Sequence, residues 1–194
     1  MKTAAQPRYD AISMAFHWTT AIAVLAAFVL GPGGFGRLLH QGIDPGTRLD
    51  IVWHESLGML VFALTVLRLV WAAVRPAAPQ VAMLGALRRM SKLTHLALWA
   101  LLLLTPLTAL LTLGSESAPL TLLGGFRVEA LSRFAPAMWL SLADWGDVHS
   151  LLGDAILWLA GMHAAAAIYH HLRLRDGVLA TMVPGIQVPP ARAE

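Results

Sequence analysis

The sequence predicts an all-α integral membrane protein, a single four-helix bundle with both termini on the cytoplasmic side. Of its 194 residues 57% are hydrophobic and only 13% are charged. The mean hydropathy is +0.65, well outside the balance of a soluble globular domain. Four stretches, about 12–30, 51–74, 93–113 and 148–172, are each long and apolar enough to span a bilayer, which takes roughly 20 residues. Lys and Arg near the span ends divide unevenly: Lys2, Arg8, Arg75, Arg88, Arg89, Lys92, Arg173, Arg175 and Arg192 on one side, Arg37, Arg48, Arg127 and Arg133 on the other. The richer side is expected inside.

The first span follows Lys2 and Arg8 as a signal peptide would, but no small-residue cleavage pattern comes after it. Gly31-Pro32-Gly33-Gly34 instead reads as a turn, so the segment is expected to be an uncleaved span opening an outer loop at 31–46. The second span leads into an inner loop at 75–89, punctuated by Pro76 and Pro79. Pro106 falls inside the third span and is expected to kink it, because membrane helices tolerate proline. A long outer loop at 114–145 follows, with an amphipathic surface helix expected around 128–142. Trp53, Trp139 and Trp145 fall near the outer boundary and Trp71 near the inner one. Residues 1–183 make one domain, and the Pro-rich tail 184–194 is expected to be disordered. With nearly the whole chain consumed by spans and short connections, no separate soluble catalytic domain fits.

Cysteine is absent, which excludes disulfides, thiolate metal sites, Fe–S clusters and covalently attached haem. The net charge of +3 and the pI near 10.0 suit anchoring to anionic lipid. No basic helix or aromatic platform suggests nucleic acid.

Two spans open on the same pattern, His54-Glu55-Ser56-Leu57-Gly58 and His149-Ser150-Leu151-Leu152-Gly153. Fourteen residues beyond each histidine stand Arg68 and His163. Fourteen helical steps return to nearly the same face, about 40° short of four turns and about 21 Å further along the axis. One helix thus carries an ionisable group near each side of the membrane. Sorted by depth, His54 and His149 match on the outer side, His17 and His163 on the inner. An ionisable side chain in hydrocarbon is costly and marks function by default. Each of the four has a small residue at i+4, namely Ala21, Gly58, Gly153 and Ala167, on the face where a flat macrocycle bonded to the histidine needs room. His95 has Trp99 there instead. Small residues also serve tight helix packing in membranes.

Zinc ordinarily takes four protein ligands or keeps an open position in a polar cleft. Imidazoles facing each other in pairs across a bundle suit haem iron, and with both axial positions filled the natural task is electron transfer. A snorkelling arginine would by itself account for Arg68, but it shares the His54 face at the depth of the inner pair, where its guanidinium suits a haem propionate or a quinone carbonyl, and that role is preferred. Asp154, one turn inside His149, suits a bond to water or to a neighbouring helix. Glu55 suits a solvated interfacial carboxylate.

The run 13–18 with its Phe16-His17-Trp18 core, the second span from His54 to Arg68-Leu69-Val70-Trp71, and Val148-His149 through Gly161-Met162-His163-Ala164 to Tyr169-His170-His171 together resemble the prokaryotic cytochrome b561 family over most of the chain. The resemblance implies a transmembrane cytochrome b domain with two haem b groups, held by His17 and His163 inside and by His54 and His149 outside. It also implies an oxidoreductase of the bacterial inner membrane that takes electrons from superoxide on the periplasmic face and reduces ubiquinone on the cytoplasmic side. His170 is then a quinone-proximal candidate and His95 a weaker one, while His171 reads as a surface histidine. Arg37, His40, Arg48, Arg127 and Arg133 suit an electropositive funnel for an anionic donor, or loop charges balanced by Asp44, Glu116, Glu129 and Asp144. A periplasmic electron donor protein is a further partner candidate, and two alternatives stay open: a cytochrome subunit serving a partner dehydrogenase, hydrogenase or soluble cytochrome, and a haem-free transporter or metal carrier.

Overall fold

A computed structural model describes residues 8–31, 35–75, 79, 85–129 and 141–186. Four helices are long and apolar enough to cross a membrane: α1 (Ala11–Val29), α3 (Leu49–Val74), α4 (Gly85–Ser115) and α5 (Trp145–Tyr169), with a short α2 (Phe35–His40) between the first two. The protein is therefore an all-α multi-pass membrane protein.

Each long helix begins and ends for a local reason. Asp10 caps α1 by accepting the N–H of Ser13 at 2.8 Å. It also accepts the Ser13 hydroxyl at 2.7 Å and the indole N–H of Trp71 at 3.1 Å. Trp71, expected at the inner boundary, thereby ties the end of α3 to the start of α1. Replacing Asp10 by alanine removes the cap and leaves the indole N–H only the Ser13 hydroxyl, 3.2 Å away; a loss of about 1–2 kcal/mol is expected, measurable as earlier thermal unfolding in detergent. Asp144 caps α5 in the same way, accepting the N–H of Asp147 at 3.1 Å. After Tyr169 that helix widens into one π-type turn, His170–Leu174, and stops at Arg175 with φ 53°. Pro106 lies within α4 without ending it.

The third span differs most from expectation. Arg88, Arg89 and Lys92 end the apolar window, but charge interrupts hydropathy and not backbone hydrogen bonding, so α4 starts eight residues earlier, at Gly85. The loop helix expected at 128–142 is contradicted at its start, since Val128 closes a small antiparallel hairpin, β1 (Leu120–Leu122) and β2 (Phe126–Val128). Gly124 and Gly125 turn it at φ 84° and 78°, values that favour glycine. Residues 130–140 lie outside the described ones, as do 187–194 of the tail. Before that, residues 179–186 are tied down: Tyr9 N–H donates to the Thr181 carbonyl at 3.0 Å and the Trp18 indole to that of Met182 at 3.0 Å.

Packing is uneven. α1 lies along α3, α4 lies along α5, and α3 joins the two hairpins through α4, whereas α5 meets α1 only sparsely. A slot therefore runs between α5 and the α1–α3 pair. Buried positions are mostly small or hydroxylic, such as Ser13, Thr20, Ala23 and Ala27 on α1 and Thr65 on α3, as close helix approach in a membrane requires. Thr65 and Ser56 satisfy their hydroxyls on the carbonyls four residues back. An apolar cluster of Leu113, Ala118 and Leu120, with Phe35, Leu39 and Met59 against it, seats the hairpin and α2 over the helix ends expected to be outer.

Candidate functional site

The histidine pairs flank the slot. At the end expected to be outer, His54 of α3 faces His149 of α5, with ring centroids 5.9 Å apart and planes at 84°. The Nδ1–H of His54 donates to the Ala27 carbonyl at 2.8 Å, and that of His149 to the Thr105 carbonyl at 2.9 Å. Ala27 lies in the last turn of α1, where carbonyls lack intrahelical partners; the N–H of Gly31 goes to Phe28 instead. With Nδ1 committed as donor, Nε2 is the basic nitrogen of each ring. Metal-bound histidines ordinarily have that arrangement.

At the end expected to be inner, His17 of α1 and His163 of α5 have centroids 6.4 Å apart. His95 of α4 comes closer still to His163, at 5.1 Å. The sequence sets His95 at the start of its span, but α4 begins ten residues earlier, which carries this ring about 15 Å along the helix to the level of the pair. Its Nδ1–H donates to the Ser91 carbonyl at 2.6 Å. Trp99, the bulky i+4 neighbour of His95, receives the Arg68 guanidinium over its ring at 4.8 Å, a cation–π contact. Arg68 is near enough to act electrostatically on both His17 and His163. Arg68, His17, His95 and His163 thus come together.

His170 stands apart from them, buried at the start of the π-type turn. Its Nδ1–H donates to Asp176, whose other oxygen accepts the Val178 N–H at 3.1 Å. Asp176 is a residue the sequence did not single out; a carboxylate shortly after a histidine and just before a glycine, where the chain must double back, is the signal that was there. His171, read as a surface histidine, buries its Nδ1 without a hydrogen bond among the described residues.

Two further polar contacts were not anticipated on the outer side. Glu55 accepts the Thr121 N–H at 2.6 Å and the Ser56 hydroxyl accepts that of Leu123 at 2.9 Å, clipping the hairpin beside His54. Replacing Glu55 by alanine leaves a part-buried N–H unpaired, at about 1–3 kcal/mol. Faster amide exchange is expected at Thr121 and Leu123; unchanged exchange would mean that the clip does not hold the hairpin. Of the cations read as a funnel, Arg127 pairs with Asp44 at 2.6 Å and Arg48 with Asp50 at 2.5 Å. The Arg127 hydrogen bond, helped by the Gly46 N–H, holds the Asp44 carboxyl below its usual range. Arg37 and His40 lie in the last turn of α2, and Arg133 lies outside the described residues.

The residues fit a flat metal-bearing macrocycle better than a bare ion. Among the described residues no three or more His, Cys, Asp or Glu side chains converge to hold a metal; the close groupings are imidazoles across a slot. Two metal–nitrogen bonds of about 2.0 Å each, plus the half-rings behind them, account for centroids 5.9 Å apart. A Cβ added at Gly58 or Gly153 would meet nothing within 4 Å, so space lies open one turn from each outer histidine.

Four spanning helices with facing imidazole pairs and no thiolate fit a membrane cytochrome of b type. The model of the prokaryotic cytochrome b561 family matches residues 8–185, and the chain belongs to that family. It is 29% identical over 178 residues to cytochrome b561 homolog 2 of Escherichia coli (strain K12), covering 91% of each chain. Family membership implies b-type haem and electron transfer.

Proposed function

We propose that this chain holds two b-type haems, one at each end of the slot, and moves electrons across the bacterial inner membrane from superoxide on the periplasmic side to ubiquinone on the cytoplasmic side. The observation that carries this is the separation of two imidazole pairs by fourteen residues along α5, His149 opposite His54 and His163 opposite His17, which supplies a station near each face. When bound, haem with both axial positions filled supplies a one-electron carrier.

The chain's own residues do the rest. His54 and His149 are oriented by the Ala27 and Thr105 carbonyls, and Gly58 and Gly153 leave room at the ring faces. Arg68 supplies a fixed positive charge at the inner station for a propionate or a quinone oxygen. His170, steadied by Asp176, donates a proton toward a quinone oxygen and recovers one from the cytoplasmic side; His95, beside His163, is the weaker candidate. The balance closes when two superoxide ions become two dioxygen molecules and their two electrons, with two protons, convert one quinone to quinol. The excess of Lys and Arg on the loops beside both termini supports this orientation.

The test is quinol formation by the purified chain, supplied only with a superoxide source and a soluble ubiquinone analogue. Turnover without any other protein is expected. Reducible haem without turnover would instead assign the chain as the cytochrome subunit of a partner enzyme.

A further inference from the structure

Asp154 lies within the span of α5, five residues inward of His149 and nine outward of His163, so its level falls between the two histidine pairs. Taking 100° per residue, it points about 140° away from His149, and Trp158 one turn further in points about 180° away. Both are exposed, Trp158 at 75%. Neither the carboxyl group nor the indole N–H has a partner among the described residues. Trp ordinarily sits at the membrane boundary, and an ionisable group facing lipid at this depth is costly. The other carboxylate beside the outer histidines, Glu55, has its partner in Thr121. Asp154 and Trp158 mark one outward face that hydrocarbon does not satisfy.

We propose that this face of α5 is a homodimer interface, with Asp154 of each copy accepting the indole N–H of Trp158 from the other. The occupant follows from self-complementarity. The face carries one acceptor and one donor a single turn apart, and side chains on a helix lean toward its N-terminus, which brings Trp158 back toward the level of Asp154. Across a two-fold axis along the membrane normal the two α5 helices run parallel at equal depth, so each donor meets the opposite acceptor and the contact is made twice. Gly161 and Ala165 continue the same exposed face; a Cβ at Gly161 would meet nothing within 4 Å, so the axes can approach closely there. This face is separate from the slot and its histidines.

The chain has no cysteine, which makes the test direct. Gly161→Cys in native membranes, treated with copper phenanthroline, is expected to form a product of twice the 20.9 kDa chain mass. Ile22→Cys, on an exposed face of α1, is the collision control and is expected to remain single. Asp154→Leu in the Gly161→Cys background is expected to lower the yield about ten-fold, whereas Asp154→Asn keeps an acceptor and most of the product. Haem absorbance of each variant reports folding; if Asp154→Leu loses it, Trp158→Phe, which removes only the N–H donor, takes its place. Equal cross-linking of Ile22→Cys and Gly161→Cys, insensitivity to loss of either polar group, or a product containing a different protein would each overturn the proposal.

Discussion

Purified His149→Ala protein is expected to contain one b-type haem against an expected two in the parent, a drop of about half in pyridine haemochrome absorbance, because an axial bond is lost outright. His54→Ala is expected to remove the same haem, and His17→Ala or His163→Ala the other. The four variants should thus fall into two spectral classes, each missing a different component of the reduced-minus-oxidised spectrum. His95 makes the inner half of this test sharper. Its ring centroid lies 5.1 Å from that of His163, against 6.4 Å for His17, so proximity alone does not choose the ligand. The depth match and the small neighbour Ala21 favour His17, and His95→Ala is expected to keep full haem content. If His95→Ala loses the inner haem and His17→Ala does not, α4 supplies the ligand in place of α1. Haem that survives all four substitutions would sink the assignment.

The second large effect is expected at His170. His170→Ala should slow quinol formation by about 10²-fold, the lower end of what a positioned proton donor contributes. Reduction of the haems by superoxide, followed by absorbance before turnover, should be unchanged. Asp176→Asn should act in the same direction and less strongly, since it keeps an acceptor for the Nδ1–H but replaces a charge-assisted hydrogen bond by a neutral one that holds the ring less firmly. A merely structural role predicts something different: both phases would slow together, with loss of haem. That outcome would remove His170 from the quinone site.

Hydropathy located α1, α3 and α5 to within a few residues, because in lipid the apolar span and the hydrogen-bonded helix nearly coincide. They part company at α4, where Arg88, Arg89 and Lys92 belong to the helix but not to the hydrocarbon. The nearness of His54 to His149 and of His17 to His163 was legible because depth along a straight helix is countable. What was not countable depends on side chains reaching across the fold. Glu55 looked like a solvated carboxylate because its partner, Thr121, is 66 residues away. His95 looked peripheral because the start of its helix was misplaced. The hairpin strands, three residues each, are too short for any period; Gly124-Gly125 between apolar runs was the one signal available. Asp176 depended on a turn that no periodicity foretells. Membership of the cytochrome b561 family, suggested by the resemblance of all four spans, is shown by a match across residues 8–185.

Each outer histidine is oriented by a helix other than its own: His54 of α3 by a carbonyl of α1, and His149 of α5 by a carbonyl of α4. The outer station therefore draws on every spanning helix at once. In a nascent chain with only the first hairpin inserted, His54 is already steered while its opposite number has not yet been made; with α5 in place but displaced from α4, His149 is free to spin. On the proposed two-haem reading, loading of the outer haem would be a late checkpoint, passed only by chains whose two hairpins have both closed and docked. The colour of the protein would then report completed assembly as well as electron carriage.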